Sequence, residues 1–283
     1  MPADGGRIGS AARYAQRLCA SGSGISHKRF RILRRPTMNI SIIGAGSIGA
    51  TLASKLSACG HHVKLANSRG PATIVDIARQ ANAVAVSREE AVSDAEVIIL
   101  AIPFANHTDV ATWLSNAPAG VTIIDTSNYY PFRDGAIAEI EQGKPEGVWA
   151  SEQLGRPLIK AWNAVLAATL ADKGLPDGAA ERIAIPVAGD DENAKSIAMA
   201  LVSDTGFEPV DAGQLAESWR QQPGTPAYCT ELSPAELKAA LQHADKARAA
   251  KNRDVLLDEF MSAGETLTHD RIVARNRAVT APR

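Results

Sequence analysis

Residues 38–70 read MNISIIGAGSIGATLASKLSACGHHVKLANSRG, and the periodicity of this stretch decides how the rest of the chain is organised. Residues 39–43 are a short apolar run, after which Ile48, Leu52 and Leu56 recur at helical spacing until Gly60 closes the segment. Residues 61–66 return to an extended pattern, so Gly44, Gly46 and Gly49 fall where a strand turns into a helix. A lone G-x-G-x-x-G is a weak signal, but inside a βαβ-sized unit it is a dinucleotide-binding fingerprint. Gly44 then permits the tight turn, Gly46 lets the backbone approach a pyrophosphate, and Gly49 lets the helix lie close to the strand. The unpaired N–H groups of the helix that opens at Ser47 and Ile48 would face the anion. The plainer alternative is a glycine-rich turn that packs a helix and binds nothing.

The end of the second strand carries the sharper information. Sites for NAD usually place an Asp or Glu about 20 residues after the glycines to hold the ribose hydroxyls. Here Asn67, Ser68 and Arg69 take that place. A carboxylate repels a 2′-phosphate, whereas a guanidinium fork and a hydroxyl match its charge and geometry, which favours NADP(H) over NAD(H). The alternative is that Arg69 is a solvated turn residue before Gly70 and Pro71.

The 283 residues are 45% hydrophobic, within the ordinary range for folded proteins, and only 5% aromatic, so the core is expected to be aliphatic. A net charge of −1 gives no whole-chain reason to expect nucleic acid or an anionic membrane as partner. Cys19, Cys59 and Cys229 are scattered and form no C-x-x-C, which fits a reducing, cytoplasmic setting and argues against a disulfide framework or a zinc site. His61 and His62 do not restore a metal reading, because neighbours on a strand point to opposite faces. The apolar run 97–105 is too short to span a bilayer.

Residues 1–37 carry Arg7, Arg13, Arg17, Lys28, Arg29, Arg31, Arg34 and Arg35 against the single acid Asp4, with few large apolar side chains. Such a segment cannot offset its ordering entropy and is expected to be disordered. Three readings stay open: a start codon assigned upstream of the true one at Met38, an organelle transit peptide, or a basic binding arm.

After the opening unit, Pro71 starts a second helix, residues 83–86 form a short strand, and 95–101 (AEVIILA) is a continuous apolar run of the kind a central parallel strand shows. Ligands of a doubly wound sheet lie beyond the carboxyl ends of its strands, so Ala101, Ile102 and Pro103 should wall the nicotinamide pocket. The alternative is an ordinary proline-containing loop. The strand 121–125 leads into Thr126-Ser127-Asn128-Tyr129-Tyr130-Pro131, a loop at another strand end that is either part of the site or a well-packed turn. Lys160 and Asn163 close a further short strand and are candidates for polar contacts to cofactor or substrate, although a surface lysine beside an edge strand is the competing reading. Residues 182–188 and 207–210 read as two more strands around a helix at 192–203. Trp219 either covers a ligand ring or pins its loop to the body. Ser233-Pro234-Ala235-Glu236 is a capping box that opens a helix expected to run to about residue 260, as a docking or oligomer helix, with a frayed polar tail from Gly264.

Taken together, GAGSIGATLA, the NSRGP at 67–71, SNYYPFRDG at 127–135, KAWN at 160–163 and PVAGDD at 186–191 resemble the NADPH-dependent reductases of coenzyme F420, a deazaflavin, and their bacterial relatives. The resemblance covers roughly residues 38–228. The nucleotide-binding module is also similar to the cytosolic part of membrane ferric reductases.

What the resemblance implies is an α/β, Rossmann-type, doubly wound and mostly parallel sheet with a small C-terminal α/β part; the long C-terminal helix expected after Ser233, like the basic extension, lies outside the resemblance. The expected division is a basic extension (1–37), an NADP-binding domain (38–163), an acceptor-binding part (164–232) and a helix with tail (233–283). By that likeness Ser68 and Arg69 hold the 2′-phosphate, Gly46 and Ser47 the pyrophosphate, and Ile102 with Pro103 the nicotinamide. Hydride would pass between the nicotinamide and a deazaflavin or flavin acceptor near Ser127, Tyr129, Tyr130 and Trp219. No Tyr-x-x-x-Lys pair or nucleophile triad is present, and cofactor-to-cofactor transfer needs chiefly proximity and orientation. A reductase of a small carbonyl or imine with Lys160 as proton donor, and a non-catalytic NADP(H) sensor, are the alternatives. Homo-oligomerisation through the C-terminal helix is open.

Overall fold

The computed structural model describes residues 36–282. The basic extension therefore lies outside the described residues, apart from its last two positions.

The first half alternates strand and helix: β1 Asn39–Ile43, α1 Ser47–Ala58, β2 His62–Ala66, α2 Val75–Gln80, β3 Val84–Ala85, α3 Arg88–Ser93, β4 Val97–Leu100, α4 His107–Leu114 and β5 Thr122–Asp125. Three helices, α5 Pro131–Asp134, α6 Ala138–Glu141 and α7 Glu146–Leu154, precede β6 Ile159–Lys160. All six strands are parallel, in the order β3-β2-β1-β4-β5-β6. That order reverses at β1, which places the first crossover of each half beside a common crevice, the dinucleotide-binding arrangement of a Rossmann fold. The inner strands β4 and β5 are buried along their whole length, which explains the unbroken apolar run of β4.

The second half holds α8 Ala167–Asp172, β7 Ala184–Val187, α9 Glu192–Asp204 and β8 Glu208–Asp211, with β7 and β8 paired in parallel. This small sheet is stitched to the large one where Lys160 and Ala188 exchange backbone hydrogen bonds of 2.8 and 3.0 Å. One apolar cluster runs from Ile40, Leu52 and Leu65 through Trp162 and Ile185 to Leu201 and Phe207, so both halves share it. The opposite face of the large sheet is filled by Ile98, Leu100, Phe104, Val110, Tyr129 and Trp149.

Two C-terminal expectations need correction. The helix foreseen from Ser233 to about residue 260 is two helices, α10 Pro234–Gln242 and α11 Lys246–Ala263, because Asp245 turns the chain and caps the second one through Ala247 N–H at 3.0 Å. The tail foreseen as frayed contains α12 His269–Thr280. Its order has a clear source: Glu259 of α11 accepts two bonds from Arg275, and Arg277 donates to the carbonyls of Thr230 and Glu231. Val273 and Leu256 are buried. The α11 backbone comes close over Gly224, where any side chain would meet the Ala249 carbonyl, so α11 docks on its own chain.

Candidate active site

The carboxyl ends of β1, β2 and β4 form one edge of the molecule. At Gly44 the backbone has φ +112°, and a Cβ there would run into the Ala101 carbonyl. A Cβ on Gly49 would meet the Gly44 carbonyl. These two glycines are therefore needed by the protein itself, to let α1 enter close against the ends of β1 and β4. Gly46 differs: its Cβ would meet no atom within 4 Å. It is exposed, as is Ser47, and it caps α1 with no side-chain hydrogen bond, so the first-turn N–H groups point into open space. An N–H-lined concavity at the positive end of a twelve-residue helix suits a pyrophosphate. Ile48, half-buried, flanks it.

At the end of β2, Asn67 shapes the turn rather than facing the crevice. Its Oδ1 accepts from Arg69 N–H at 3.1 Å and its Nδ2 donates to Thr73 Oγ1 at 2.9 Å. This leaves the Ser68 and Arg69 side chains exposed. At the end of β4, Ala101 sits against Gly44, Ile102 is half-buried and Pro103 exposed.

Beneath the loop that follows β4 is a cluster that sequence reasoning did not assemble. Asp125, at the end of β5, accepts from Lys160 Nζ at 2.6 Å, from Ser127 Oγ at 3.0 Å and from Ser127 N–H at 3.0 Å. Its Oδ1 stands 3.2 Å from His107 Nε2, and His107 Nδ1 stands 2.6 Å from the Phe104 carbonyl. Lys160 also donates to the Ser127 carbonyl at 2.6 Å. Asp125, Lys160 and His107 have no solvent exposure. Burial opposes ionisation of Asp125, yet the Lys160 ammonium and His107 hold its carboxyl well below the usual carboxylate range. Glu146, buried nearby, accepts from Tyr129 N–H at 3.1 Å, and its carboxyl is pushed up to about 7 by burial, which Lys160 only partly offsets. The surface-lysine reading of Lys160 is thus overturned. Its neighbour Ala188 pairs with it, so β6 is not a free edge there.

The remaining candidates divide. Tyr129 is fully buried, its ring edge-on to Phe104 at 5.8 Å and its hydroxyl donating to the Gly135 carbonyl at 3.0 Å. Ser127 is committed to Asp125. Trp219 is clasped by Arg220 at 4.5 Å and Lys246 at 5.7 Å, which fastens its loop to α11. Tyr130, by contrast, is half-exposed and meets Tyr228, 98 residues on, through a 2.5 Å hydroxyl contact. Asn128 exchanges amide bonds with Asn163, 3.0 Å to its side chain and 2.9 Å to its carbonyl. Asn163 in turn donates to the Gln221 carbonyl at 2.9 Å. Asn163 is aimed there from beside Trp162, whose left-handed backbone (φ 56°) is rare for a bulky residue and whose indole N–H is anchored on Thr205. Tyr228, Gln221 and Asn128 went unnamed as site residues because no local pattern marks them.

Comparison with known proteins agrees with this architecture. Residues 39–129 match the family model described as NADP oxidoreductase, coenzyme F420-dependent. The Escherichia coli (strain K12) protein YjhV is 44% identical over 108 residues, which is 38% of this chain and 79% of that protein. A crystal structure of the hypothetical protein SMa0349 from Sinorhizobium meliloti superposes with a TM-score of 0.60 at 31% identity, over 72% of this chain and 98% of that one. The chain belongs to the F420-dependent NADP oxidoreductase family. Membership carries the coarse assignment, an NADP-dependent oxidoreductase that binds a small-molecule nucleotide. The metalloreductase STEAP3 of Rattus norvegicus is 30% identical over 179 residues, 63% of this chain but only 34% of that protein, so this family member spans about a third of the metalloreductase's length. Among the described residues no helix is long and apolar enough to cross a membrane, and no group of three or more His, Cys, Asp or Glu could hold a metal ion.

Proposed function

We propose that this chain is a reductase that takes NADPH in preference to NADH and passes its reducing equivalents to a planar, deazaflavin- or flavin-like acceptor. The observation that carries the cofactor half is the open cradle at Gly46 on the same edge as the exposed Ser68 and Arg69. When bound, NADP(H) supplies the hydride. The chain's own part is to bind and orient. Gly46 and Ser47 present backbone N–H groups to the pyrophosphate, Ser68 and Arg69 hold the 2′-phosphate, and Ala101, Ile102 and Pro103 face the nicotinamide.

Support for a planar acceptor comes from the next strand ends. Tyr130 and Phe132 lie with ring centroids 5.8 Å apart, and Phe132 is 64% exposed, large for a phenyl group with no partner to cover it. The Tyr130–Tyr228 hydroxyl pair uses one of its two protons between the two oxygens and has the other to donate to a ring carbonyl. Proton donation by Lys160 to a carbonyl or imine is disfavoured, since its ammonium is sealed and already donating to Asp125 and Ser127. The deciding experiment mixes the protein with NADPH and, separately, coenzyme F420, FMN and a quinone, and follows acceptor absorbance. Bleaching with NADPH and much less with NADH is expected, and no turnover with any of the three would sink the reductase reading.

A further inference from the structure

The charged cluster under the β4 loop has a use that apolar packing could not serve. Burying an ion pair costs several kcal/mol in desolvation per ion, and well-packed hydrophobic side chains are often as stabilising in its place. What hydrocarbon cannot do is hold a particular backbone carbonyl in a particular place. The Phe104 carbonyl only accepts, so His107 Nδ1 must carry a proton to bond it at 2.6 Å, and this fixes the imidazole's rotation. Behind it stands Asp125, held by Lys160 and by both donors of Ser127, so the ring is braced from the rear much as metal-bound histidines are by carboxylates.

The carbonyl so held also accepts from the His107 backbone N–H, inside the turn that Asn106 N–H closes on the Pro103 carbonyl at 3.1 Å. The turn is braced from other sides as well. The Phe104 ring stacks on Trp149 at 5.0 Å, and Ala105 N–H reaches Asp134 Oδ1 at 3.4 Å. The other oxygen of Asp134 accepts from Tyr130 N–H at 2.9 Å, which ties this turn to the proposed acceptor wall. Gly44, Gly46, Ser68 and Arg69 make no hydrogen bond to the cluster among the described residues.

We infer that His107, oriented by the Asp125–Lys160 pair, is a positioning residue that sets Ile102 and Pro103 against the nicotinamide half of bound NADP(H) while leaving the adenosine half untouched. The inference rests on the cofactor reading above. It separates two ligands: NADPH feels both halves of the site, whereas 2′,5′-ADP feels only the adenosine end.

The test is equilibrium titration of wild-type protein and His107→Phe with both ligands, recording the nicotinamide fluorescence of bound NADPH. Phenylalanine keeps the ring volume and loses the bonds. NADPH affinity should fall on the order of tenfold, with a changed nicotinamide emission, while 2′,5′-ADP affinity stays within about twofold. His107→Gln, which keeps an amide donor at this position, should recover part of the NADPH affinity, and it carries the test if the Phe variant loses its cooperative melt. Equal losses for the two ligands would mean a general scaffold defect and overturn the inference, as would wild-type affinity and emission in both variants. If wild-type protein binds neither ligand, the cofactor reading falls first and the positioning role falls with it.

Discussion

Two edges of the same sheet are built in opposite ways. At the ends of β1 and β2 the site is made of backbone and exposed side chains from one continuous stretch, residues 44–69, with Arg69 and Ser68 free in solvent. At the ends of β5 and β6 it is made of side chains from segments as much as 100 residues apart, Asn128 with Asn163, Gln221 and Tyr228, resting on a charged cluster that solvent does not reach. The first edge can change its ligand preference at little cost to folding, because its variable groups touch almost nothing. In the second, recognition and stability use the same atoms, so a change to one disturbs the other.

The largest effect expected from this difference is on the buried side. Lys160→Met leaves Asp125 without its cation in a site with no exposure, and should destabilise the protein by about 3–5 kcal/mol. Urea unfolding checks it. A loss under about 1 kcal/mol, the usual worth of an exposed pair, would mean that water reaches the cluster and the contrast between the edges is smaller than drawn.

Glu146 gives the next effect, and its sign is opposite to that of most carboxylates. Its folded-state pKa is raised from 4.5 to about 7, chiefly by burial. Its contribution is thus fully present below the unfolded value and is lost as the pH rises through about 7. Asp125, held low, acts in the other direction and only in acid. Wild-type stability should therefore decline relative to Glu146→Gln between about pH 4.5 and 7, by roughly 3–4 kcal/mol at about 1.4 kcal/mol per pKa unit. Urea midpoints for both proteins at several pH values measure it, and parallel curves would show that Glu146 ionises freely in the fold.

How much of this was legible in the sequence follows the same division. The glycine turn and the succession of strands and helices were readable because each depends on neighbours in the chain: a strand, a turn and a helix announce themselves by period and by breakers. The buried cluster was not, although its members were in plain view. Asp125 ends a strand whose role was read only as part of the core, and His107 lies in the segment after β4 with no motif to mark it; only the adjacency of β4, β5 and β6 joins them to Lys160. Tyr129 and Tyr130 look alike in sequence, yet the pleat and turn bury the first against Phe104 and leave the second at the surface. The C-terminal tail was misread for a related reason. Its composition is polar, but Arg277 satisfies carbonyls of a distant loop and Arg275 pairs with Glu259.

On the exposed edge the prediction is one of selectivity without instability. Arg69→Glu removes the charge-assisted contact proposed for the 2′-phosphate, which would be worth on the order of 1.5–3 kcal/mol, or roughly 10- to 150-fold in affinity. NADPH binding should weaken by that factor, NADH binding should change little, and the melting temperature should stay near that of wild type because Arg69 has no ion pair among the described residues. Equal losses for the two nucleotides would remove Arg69 from the phosphate site.

The smallest effect tests where the two modes of construction meet. Tyr228→Phe deletes one hydroxyl of the Tyr130–Tyr228 pair but leaves both rings in place, and the loss of a neutral hydrogen bond is worth about 0.5–1.5 kcal/mol. If the pair were only a strut between the halves, that loss would appear in unfolding alone. As part of the acceptor wall it should appear also in the KM for acceptor, with the affinity for NADPH unchanged. Tyr129→Phe is the control on the buried side: its hydroxyl bonds Gly135 and Glu141, faces no acceptor, and should move stability without moving KM. A Tyr129 variant with the larger change in acceptor KM would reverse the roles given to the two tyrosines.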